Sequence, residues 1–366
     1  EFPAGDPAGD LKAVLGALNV CSKESFVRMY DCEVLGQSVL KQFQGVRHDG
    51  PGDAGVIRPV AGSKRGIAVA CGITPKYADL DARSMMACAV DEAVRNLVAV
   101  GARMGMIAGL DNFCWPDPVQ SDKTPDGRHK LAQLVVACEA LYDLCVAYDI
   151  PLISGKDSMK NDYKIGDTKI SIPPTLLFSV FGRIDDVRRA VTMDAKKPGD
   201  RVYILGITCD ELGGSEWYAL NGFVGNTVPR VRPETARARY DALARAIRLG
   251  LVASCHDCAD GGLGVALAET AFAGGLGVEA DLATVPVEGV GRNDALLFSE
   301  TPSRFVVTVS PDREAAFLEQ FRGQIAARIG TVTENGRFRL RGLRGEALLD
   351  EALGDLKAAW QRPLNF

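Results

Sequence analysis

Short apolar runs alternate along the chain with segments whose apolar residues recur every three or four positions. A short apolar run predicts a buried strand, and the three-to-four spacing predicts an amphipathic helix. In the first half the pattern predicts strands at residues 67–73, 104–110, 151–154 and 175–181, and helices at 84–100 and 130–148. This alternation is typical of an α/β domain with helices on one or both faces of a sheet.

The same alternation resumes after residue 198 and predicts a second α/β unit. Residues 196–200 are polar and contain a proline and a glycine, which is typical of a domain boundary. We therefore divide the chain into domains at 1–197 and 198–366. Strands are predicted at 201–205, 252–255, 277–281, 305–309, 330–332 and 338–340, and helices at 233–250, from about 265, at 314–322 and after 345.

Composition limits what such a protein can be. With 366 residues, 47% hydrophobic and 24% charged, the chain is close to globular averages and long enough for two cores. No apolar run reaches the length of a membrane span, so we expect a soluble, cytoplasmic protein that does not insert into membranes. The net charge of −5 argues against nucleic-acid binding, which needs a basic face.

The cysteines and the first residues bear on the chain's context. The ten cysteines are scattered through apolar segments, and we interpret them as reduced core residues. Cys255 and Cys258 form a Cys-x-x-Cys pair without a second pair, which gives little support for zinc. Residues 1–5 do not begin with methionine and read like the middle of a longer polypeptide or a cloning junction. We expect a fragment or a separate subunit.

The run His-Asp-Cys-Ala-Asp-Gly-Gly-Leu-Gly at 256–264 is the most informative motif. Its carboxylates, Asp257 and Asp260, are followed by Gly261 and Gly262 and then by a predicted helix. Magnesium prefers oxygen ligands, and helix N-termini with close backbone suit phosphate groups. The motif therefore suggests a magnesium-polyphosphate site, although alone it is not decisive.

Further oxygen ligands stand upstream. Glu92 and Asn96 are four residues apart on a predicted helix, so their side chains share one face. Asp53 lies among glycines just before an apolar strand. A solvated helix face and a plain tight turn explain these residues without a ligand. We expect Asp91 and Arg95 to point elsewhere, to the surface.

Other polar loops add weaker hypotheses. Lys156 follows the strand predicted at 151–154, and ligands often bind at strand ends, although the glycine spacing excludes a Walker A motif. The Gly-Gly-Ser turn at 213–215 has either a binding role or no function. His48 and His256 adjoin the candidate loops, and we interpret both as structural hydrogen-bonding residues rather than as parts of a ligand site.

Seven motifs together resemble, over nearly the whole chain, the family of ATP-dependent enzymes related to aminoimidazole ribonucleotide synthetase. The resemblance is greatest to the C-terminal half of the long formylglycinamidine ribonucleotide synthetases of purine biosynthesis. The motifs are Ser22-Lys23-Glu24-Ser25-Phe26, Gly52-Asp53-Ala54-Gly55-Val56, Asp91-Glu92-Ala93-Val94-Arg95-Asn96-Leu97, Gly155-Lys156-Asp157-Ser158-Met159, Leu212-Gly213-Gly214-Ser215, His256-Asp257-Cys258-Ala259-Asp260-Gly261-Gly262 and Leu297-Phe298-Ser299-Glu300.

The resemblance implies a fold and a reaction. In each half, a ferredoxin-like N-terminal domain pairs its sheet into a barrel and precedes a second α/β domain, with nucleotide clefts between them. The parent ligase phosphorylates an amide oxygen with ATP and displaces the phosphate with ammonia from glutamine. One cleft catalyses, and the half resembled here holds magnesium and ATP or ADP in a mainly structural role.

The resemblance also implies partners and site residues. The partners would be an N-terminal synthetase half and a glutaminase, without which we expect the chain to be inactive; the isolated chain could form a homodimer. The implied magnesium ligands are Asp53, Glu92, Asn96 and Asp257, and the implied nucleotide-binding residues are Lys23, Lys156, Gly213, Gly214, Ser215, Asp260, Gly261 and Gly262. Ala259 stands where family members often carry serine, so one hydroxyl contact to phosphate is missing.

Two alternatives remain open at this point. The chain could be an independent enzyme of the superfamily, of the aminoimidazole ribonucleotide synthetase, selenophosphate synthetase or thiamine-phosphate kinase type. Residues 4–10 do not supply the early glycine-rich or paired-aspartate segment that those enzymes bring. It could also be a non-catalytic scaffold that nucleotide stabilises.

Overall fold

The computed structural model describes residues 5–366; residues 1–4, part of the segment that resembles the middle of a longer polypeptide, lie outside the described residues. The helices of the described chain are α1 Pro7–Leu15, α2 Glu24–Val27, α3 Ala82–Ala99, α4 Gly127–Tyr148, α5 Glu216–Leu220, α6 Pro233–Arg248, α7 Gly262–Gly274, α8 Asn293–Phe298, α9 Glu314–Gln320 and α10 Leu353–Gln361.

Its strands divide between two large sheets and two short pairs. The strands are β1 Ser38–Leu40, β2 Gly55–Ile57, β3 Gly66–Gly72, β4 Ile107–Cys114, β5 Leu152–Ser158, β6 Asp162–Ile165, β7 Thr168–Ser171, β8 Thr175–Ile184, β9 Arg201–Leu205, β10 Thr208–Cys209, β11 Ser254–Asp257, β12 Gly277–Asp281, β13 Val287–Glu288, β14 Phe305–Val309, β15 Ala326–Thr333, β16 Arg337–Arg341 and β17 Ala347–Ala352. β6 pairs with β7, and β10 pairs with β13.

The first large sheet has the order β1-β2-β3-β8-β4-β5 and is covered by helices on one face only. β3 alternates buried and exposed residues along its length, as expected of a strand with one covered face. Gly72 at its end packs against α3 so closely that a Cβ would overlap the backbone of Ala89. Ile67 and Val69 point to the uncovered face and are exposed.

Helix α3 lies at the centre of the molecule. It contacts β3 and β8 on one side, and α4, α6 and β11 on others. Fifteen of its eighteen residues are buried, including residues on every side of the helix. A helix that is buried all round belongs to a core that more than one structural layer supplies.

The second large sheet, with the order β11-β14-β9-β15-β12-β16-β17, contributes to two cores. On β9, Tyr203 and Leu205 join the core formed by α3, α4 and α6, while Val202 and Ile204 join the core formed with α7 and α10. Because the first core contains residues of both sheets, the two α/β units share a continuous apolar layer.

The predicted division at 197/198 falls in the connection between β8 and β9, and it remains our proposal for the domain boundary. The N-terminal helix α1 precedes this boundary in the sequence but packs against the unit that follows it. Leu11, Val14 and Leu15 of α1 are buried in the core of α7 and α10. The beginning of the chain therefore stabilises the later unit.

Several sequence predictions differ from the structure at element ends. The strand predicted to end at residue 154 continues to Ser158, so Lys156 lies within β5 rather than in a loop. The helix predicted after residue 345 is present as α10, which begins at Leu353, but a strand that was not predicted, β17, precedes it. Pairing with β16 overrides the helical preference of the alanines and leucines in β17.

Two predictions from composition also need correction. Helix α4 has the length and apolar composition of a membrane span, although no such run was expected; a third of that window is buried (33%), and core helices pass the same test. All ten cysteines are free, but Cys71 and Cys138 are exposed rather than in the core.

Candidate functional site

The motif at residues 256–264 forms a tight turn between β11 and α7. Strand β11 is buried at every residue and ends at Asp257, and α7 begins at Gly262. Gly261 and Gly262 have φ angles of 77° and 66°, in the left-handed region that favours glycine. A Cβ at Gly262 would also overlap the carbonyl oxygens of Leu297 and Ser299. The glycines therefore allow the turn to lie against the end of α8.

Asp53, from the first unit, meets the end of β11, from the second. Oδ1 of Asp53 accepts a hydrogen bond from the backbone N–H of Asp257 at 3.0 Å and lies 2.9 Å from Nδ1 of His256. Oδ2 of Asp53 is buried and has no hydrogen-bond partner. One oxygen of this carboxylate is thus fixed by the protein, and the other is left for a ligand.

The other three predicted magnesium ligands follow the same pattern. Oδ2 of Asp257 accepts from Nε of Arg95 at 2.9 Å, and Oε2 of Glu92 accepts from the N–H of Ile73 at 2.8 Å. No donor of the described chain makes a hydrogen bond to the second oxygen of either carboxylate, although Nδ1 of His256 lies 3.9 Å from Oδ1 of Asp257. Oδ1 of Asn96 is buried without a partner. Each of the four side chains therefore offers a free oxygen.

The four side chains do not form one tight cluster. Ligand atoms of Asp53, His256 and Asp257 lie within 4.8 Å of one another, and Glu92 is outside this group. Glu92 and Asn96 belong to one face of α3, next to it. The candidate site thus consists of a compact group, Asp53, His256 and Asp257, and a neighbouring pair, Glu92 and Asn96. This arrangement leaves space for more than one metal-coordination position.

The charges in this cluster are poorly neutralised. The pKa of Glu92 is raised to about 8, mainly by burial; Arg95 acts in the opposite direction, and Asp260 and Asp257 add to the rise. Burial likewise raises the pKa of Asp257. Carboxylates in this state gain from a nearby cation, and an all-oxygen donor set with unpartnered atoms fits magnesium.

His256 holds two carboxylates in place. Its Nδ1 contacts Asp53, and its Nε2 lies 2.9 Å from Oε2 of Glu269 on α7. Burial lowers the pKa of His256, but the two carboxylates outweigh burial and raise the pKa well above its usual value. His256 makes side-chain hydrogen bonds, as predicted; that it is structural rather than part of a ligand site stays a prediction, because it lies in one group with Asp53 and Asp257. The side chain of His48 makes no described hydrogen bond, and its carbonyl accepts from Arg28.

The expectation that Asp91 and Arg95 lie on the surface was wrong. Their side chains are 0% and 4% exposed and form an ion pair at 2.8 Å. Arg95 also pairs with Asp257, so it joins α3 to a proposed metal ligand. The four-residue spacing that places Glu92 and Asn96 together says nothing about what covers the neighbouring face of the helix.

A cavity of about 260 Å³ adjoins the cluster. It brings together three predicted site residues, Glu92, Gly214 and Asp260, from three separate segments. Its lining consists of Asn19, Ile73, Thr74, Pro75, Lys76, Tyr77, Glu92, Gly214 and Asp260. The segment 73–77 was missed from the sequence, although its position directly after β3 is a signal, since ligands bind at strand ends.

Glu300 fastens the loops around this cavity. Its Oε1 accepts from the N–H groups of Gly261 and Glu216, each at 2.9 Å, and its Oε2 accepts from the hydroxyl of Tyr77 at 2.7 Å. Burial, with a further contribution from Asp260, raises the pKa of Glu300 to about 8. Glu300 therefore links Gly261 of the turn, the first residue of α5 and Tyr77 around the cavity. Its position in the sequence alone did not indicate this role.

Among the other predicted nucleotide-binding residues, Gly213 and Ser215 adjoin the cavity through Gly214, whereas Lys23 and Lys156 do not line it. Gly213 and Ser215 flank Gly214, and the hydroxyl of Ser215 caps α5. Lys23 donates from Nζ to the carbonyl of Asn19 at 3.2 Å and does not line the cavity. Lys156 is exposed on β5, with Nζ 3.8 Å from Sγ of Cys114, and is not in the lining either.

Comparison with known proteins gives one consistent result. The family model of the AIR synthase related protein, N-terminal domain, matches residues 51–184, and that of the C-terminal domain matches residues 197–342. Phosphoribosylformylglycinamidine synthase subunit PurL of Alkaliphilus metalliredigens is 33% identical over 364 residues, which cover 98% of this chain and 45% of that protein. The chain spans about half the length of the curated relatives it matches.

Solved structures agree on the fold. PurL of T. maritima complexed with FGAR aligns with a TM-score of 0.73 at 18% identity, covering 96% of this chain and 53% of that chain. The same protein complexed with ATP aligns with a TM-score of 0.67 at 18% identity, covering 98% and 53%. At this identity the likeness shows a shared α/β fold.

Proposed function

The chain belongs to the AIR synthase related family, and from this premise we propose that it is the C-terminal half of an ATP-dependent phosphoribosylformylglycinamidine synthase. This ligase of purine biosynthesis converts an amide into an amidine with ammonia from glutamine. In our proposal the chain holds a magnesium-nucleotide complex, ATP or ADP, in a structural site.

The free oxygens of Asp53, Glu92, Asn96 and Asp257 are the observation that carries this proposal. Two of them, on Asp53 and Asn96, are buried without any partner. A buried polar atom without a hydrogen bond is costly, so such atoms in a native protein need a partner such as a water molecule or a bound ion. The four residues would hold magnesium, which supplies positive charge for the phosphates. Relatives complexed with ATP and ADP support an adenine nucleotide.

The glycine turn and the cavity supply the rest of the nucleotide site. Gly261 and Gly262 let the turn before α7 pack closely against the end of α8, and Gly214 lines the cavity beside Glu92. The N–H groups of Gly261 and Gly262 donate to Glu300 and to the carbonyl of Ala259, so the support for a phosphate comes from the cavity and from the free oxygens that would hold magnesium beside it. We assign Asp260 to shaping the turn rather than to metal ligation. Lys23, Lys156, Gly213 and Ser215 remain predicted nucleotide contacts.

The uncovered face of the first sheet fits a second synthetase half. Ile67 and Val69 on β3 and Ile153 on the edge strand β5 are exposed apolar residues. An unpaired strand edge beside an apolar face favours pairing with another sheet. We propose that this face packs on the N-terminal half of the parent enzyme. The assembled parent enzyme would also include a glutaminase. In isolation, the same face is expected to pair two copies of this chain.

Nucleotide released from the denatured protein tests the proposal most directly. The purified chain is expected to release adenine nucleotide, detected by chromatography, after incubation with magnesium and ADP followed by gel filtration. Asp257→Ala should lower the retained amount by about tenfold or more, since it removes a charged ligand. Asp241→Ala, on the exposed side of α6, is the matched control. Retention by Asp257→Ala equal to wild type would remove Asp257 from the site.

Turnover separates a structural half from an independent enzyme. We expect no amidine from the purified chain with ATP, formylglycinamide ribonucleotide and an ammonium salt. Activity is expected to need an added N-terminal half. Robust turnover by the chain alone would instead favour a complete enzyme of the superfamily.

A further inference from the structure

The cavity beside Glu92 has a charge distribution that the proposed metal site leaves unexplained. Its volume of about 260 Å³ is small for a ligand pocket, since such pockets hold roughly 300–1,000 Å³. It therefore suits one part of a nucleotide rather than the whole molecule. The carboxylates of Glu92 and Asp260 line it, and Lys76 is the one cation among the described residues of its lining.

The ammonium group of Lys76 is engaged inside the protein. Its Nζ forms an ion pair with Oε1 of Glu216, and the side-chain amide of Asn19 donates to the same oxygen at 2.7 Å. The side chain of Glu216 is 6% exposed, whereas that of Lys76 is 36% exposed. The lysine is thus the accessible member of the pair.

The two partners differ in how firmly they are held. Glu216 is the first residue of α5, its N–H donates to Glu300, and its carboxylate keeps the hydrogen bond from Asn19 if the lysine leaves. Lys76 reaches the pair on a flexible four-carbon stem, whose ammonium can reorient. An arriving anion can therefore draw Lys76 away while Glu216 stays in place.

We propose that Lys76 binds the terminal phosphate of the nucleotide in this site, and that Glu216 takes the place of this phosphate when the site is empty. The inference rests on the proposed function, because the phosphate arrives with the nucleotide that Asp53 and Asp257 hold through magnesium. Glu92, a proposed ligand of that ion, lines the same cavity as Lys76. A phosphate carries more charge than one carboxylate, so the exchange favours it.

Calorimetric titration with MgADP and with AMP tests this assignment, because AMP lacks the second phosphate. Lys76→Met is expected to weaken MgADP binding by about tenfold or more, with AMP binding changed by less than about twofold. Glu216→Gln is expected to strengthen MgADP binding by about threefold or more, because the lysine loses its competing anion.

Two further variants separate charge from folding. Lys76→Arg keeps the charge and is expected to retain MgADP affinity within about threefold. Lys64→Met changes an exposed lysine and is expected to bind as wild type does.

The possible failures are distinguishable. Wild-type protein that does not bind MgADP would overturn the proposed nucleotide site, and the role of Lys76 with it. Wild-type binding together with unchanged MgADP affinity in Lys76→Met would overturn this inference alone. An equal loss of MgADP and AMP in Lys76→Met, without rescue by Lys76→Arg, would also overturn it, since the lysine would then be structural.

Discussion

Two consecutive carboxylates of α3 have opposite surroundings. Asp91 accepts five hydrogen bonds, and its donors are the hydroxyls of Tyr148 and Tyr240, the N–H and hydroxyl of Ser303, and the guanidinium of Arg95. Glu92 accepts one, from the N–H of Ile73, and its other oxygen is free. The helix thus has one acidic residue that the protein satisfies fully and a neighbour that it leaves open.

The number of hydrogen-bond donors around a carboxylate, rather than its burial or its spacing in the sequence, therefore distinguishes a structural carboxylate from a candidate ligand. Asp53 has a side chain that is 0% exposed, as Asp91 does, yet Oδ2 of Asp53 has no partner. Removing a buried carboxylate that donors surround destabilises the fold, because the donors lose their acceptor. One with a free oxygen, next to other acidic groups, is stabilised when a cation binds.

We expect substitution of Asp91 to lower the free energy of unfolding strongly. Asp91→Ala would leave two tyrosine hydroxyls and part of Arg95 without their acceptor between the two α/β units. Breaking a buried pair in this way costs roughly 3–5 kcal/mol, and we expect the free energy of unfolding to fall by about that amount. Urea denaturation followed by circular dichroism measures it.

Controls for this variant lie nearby. Asp241→Ala on the exposed side of α6 is expected to change the free energy of unfolding by less than about 0.5 kcal/mol. Tyr148→Phe removes one of the five donors and should cost less than Asp91→Ala. If Asp91→Ala costs no more than Asp241→Ala, Asp91 is not the structural member of the pair.

Glu92 should show the reverse behaviour. Because its pKa is about 8, Glu92 is largely protonated at pH 7 in the metal-free protein. We therefore expect Glu92→Gln to change the free energy of unfolding in EDTA by less than about 1 kcal/mol. The same variant should weaken magnesium-dependent ADP binding by about tenfold, or about 1.4 kcal/mol.

Calorimetry and urea denaturation on the same preparation check both parts. Glu139→Gln, on the exposed side of α4, is the matched control and should alter neither measurement. A Glu92→Gln protein that binds MgADP as wild type does would mean that the free oxygen of Glu92 is not a metal ligand.

The sequence predicts the open carboxylates better than the closed one. Asp53 and Asp257 stand in glycine-rich motifs, and Glu92 and Asn96 share a helix face, so spacing and the family resemblance identify all four. Asp91 was misplaced because its donors come from residues 57 to 212 positions away along the chain, apart from Arg95. No local pattern encodes such a meeting of three helices and a loop.

Lys76 illustrates a second limit. It follows β3 in a segment without a glycine-rich motif, and only the folded chain brings it to Glu216 and Asp260. The α/β pattern itself was predictable, because alternating strands and helices leave a periodic trace. Strand β17 was not, because alanine and leucine favour helix locally while pairing with β16 decides the structure.

Glu300 is intermediate between Asp91 and Glu92, and we expect its substitution to change the measured free energy least of the three. Three donors surround it, compared with five at Asp91, and burial without a cationic partner raises its pKa to about 8. The folded-state pKa lies above the unfolded value of 4.5. The folded chain therefore keeps a proton that the unfolded chain has released, and this stabilisation is present below pH 4.5 and is lost as the pH rises through 8.

Glu300→Gln removes this titration while it retains an oxygen for the N–H groups of Gly261 and Glu216. Between pH 7 and 8 in EDTA, the wild-type free energy of unfolding should therefore fall by about 1 kcal/mol more than that of Glu300→Gln. Urea midpoints at both pH values measure the difference, with Glu319→Gln on the exposed side of α9 expected to follow wild type. Equal pH dependence in wild type and Glu300→Gln would mean that the donors alone keep Glu300 ionised.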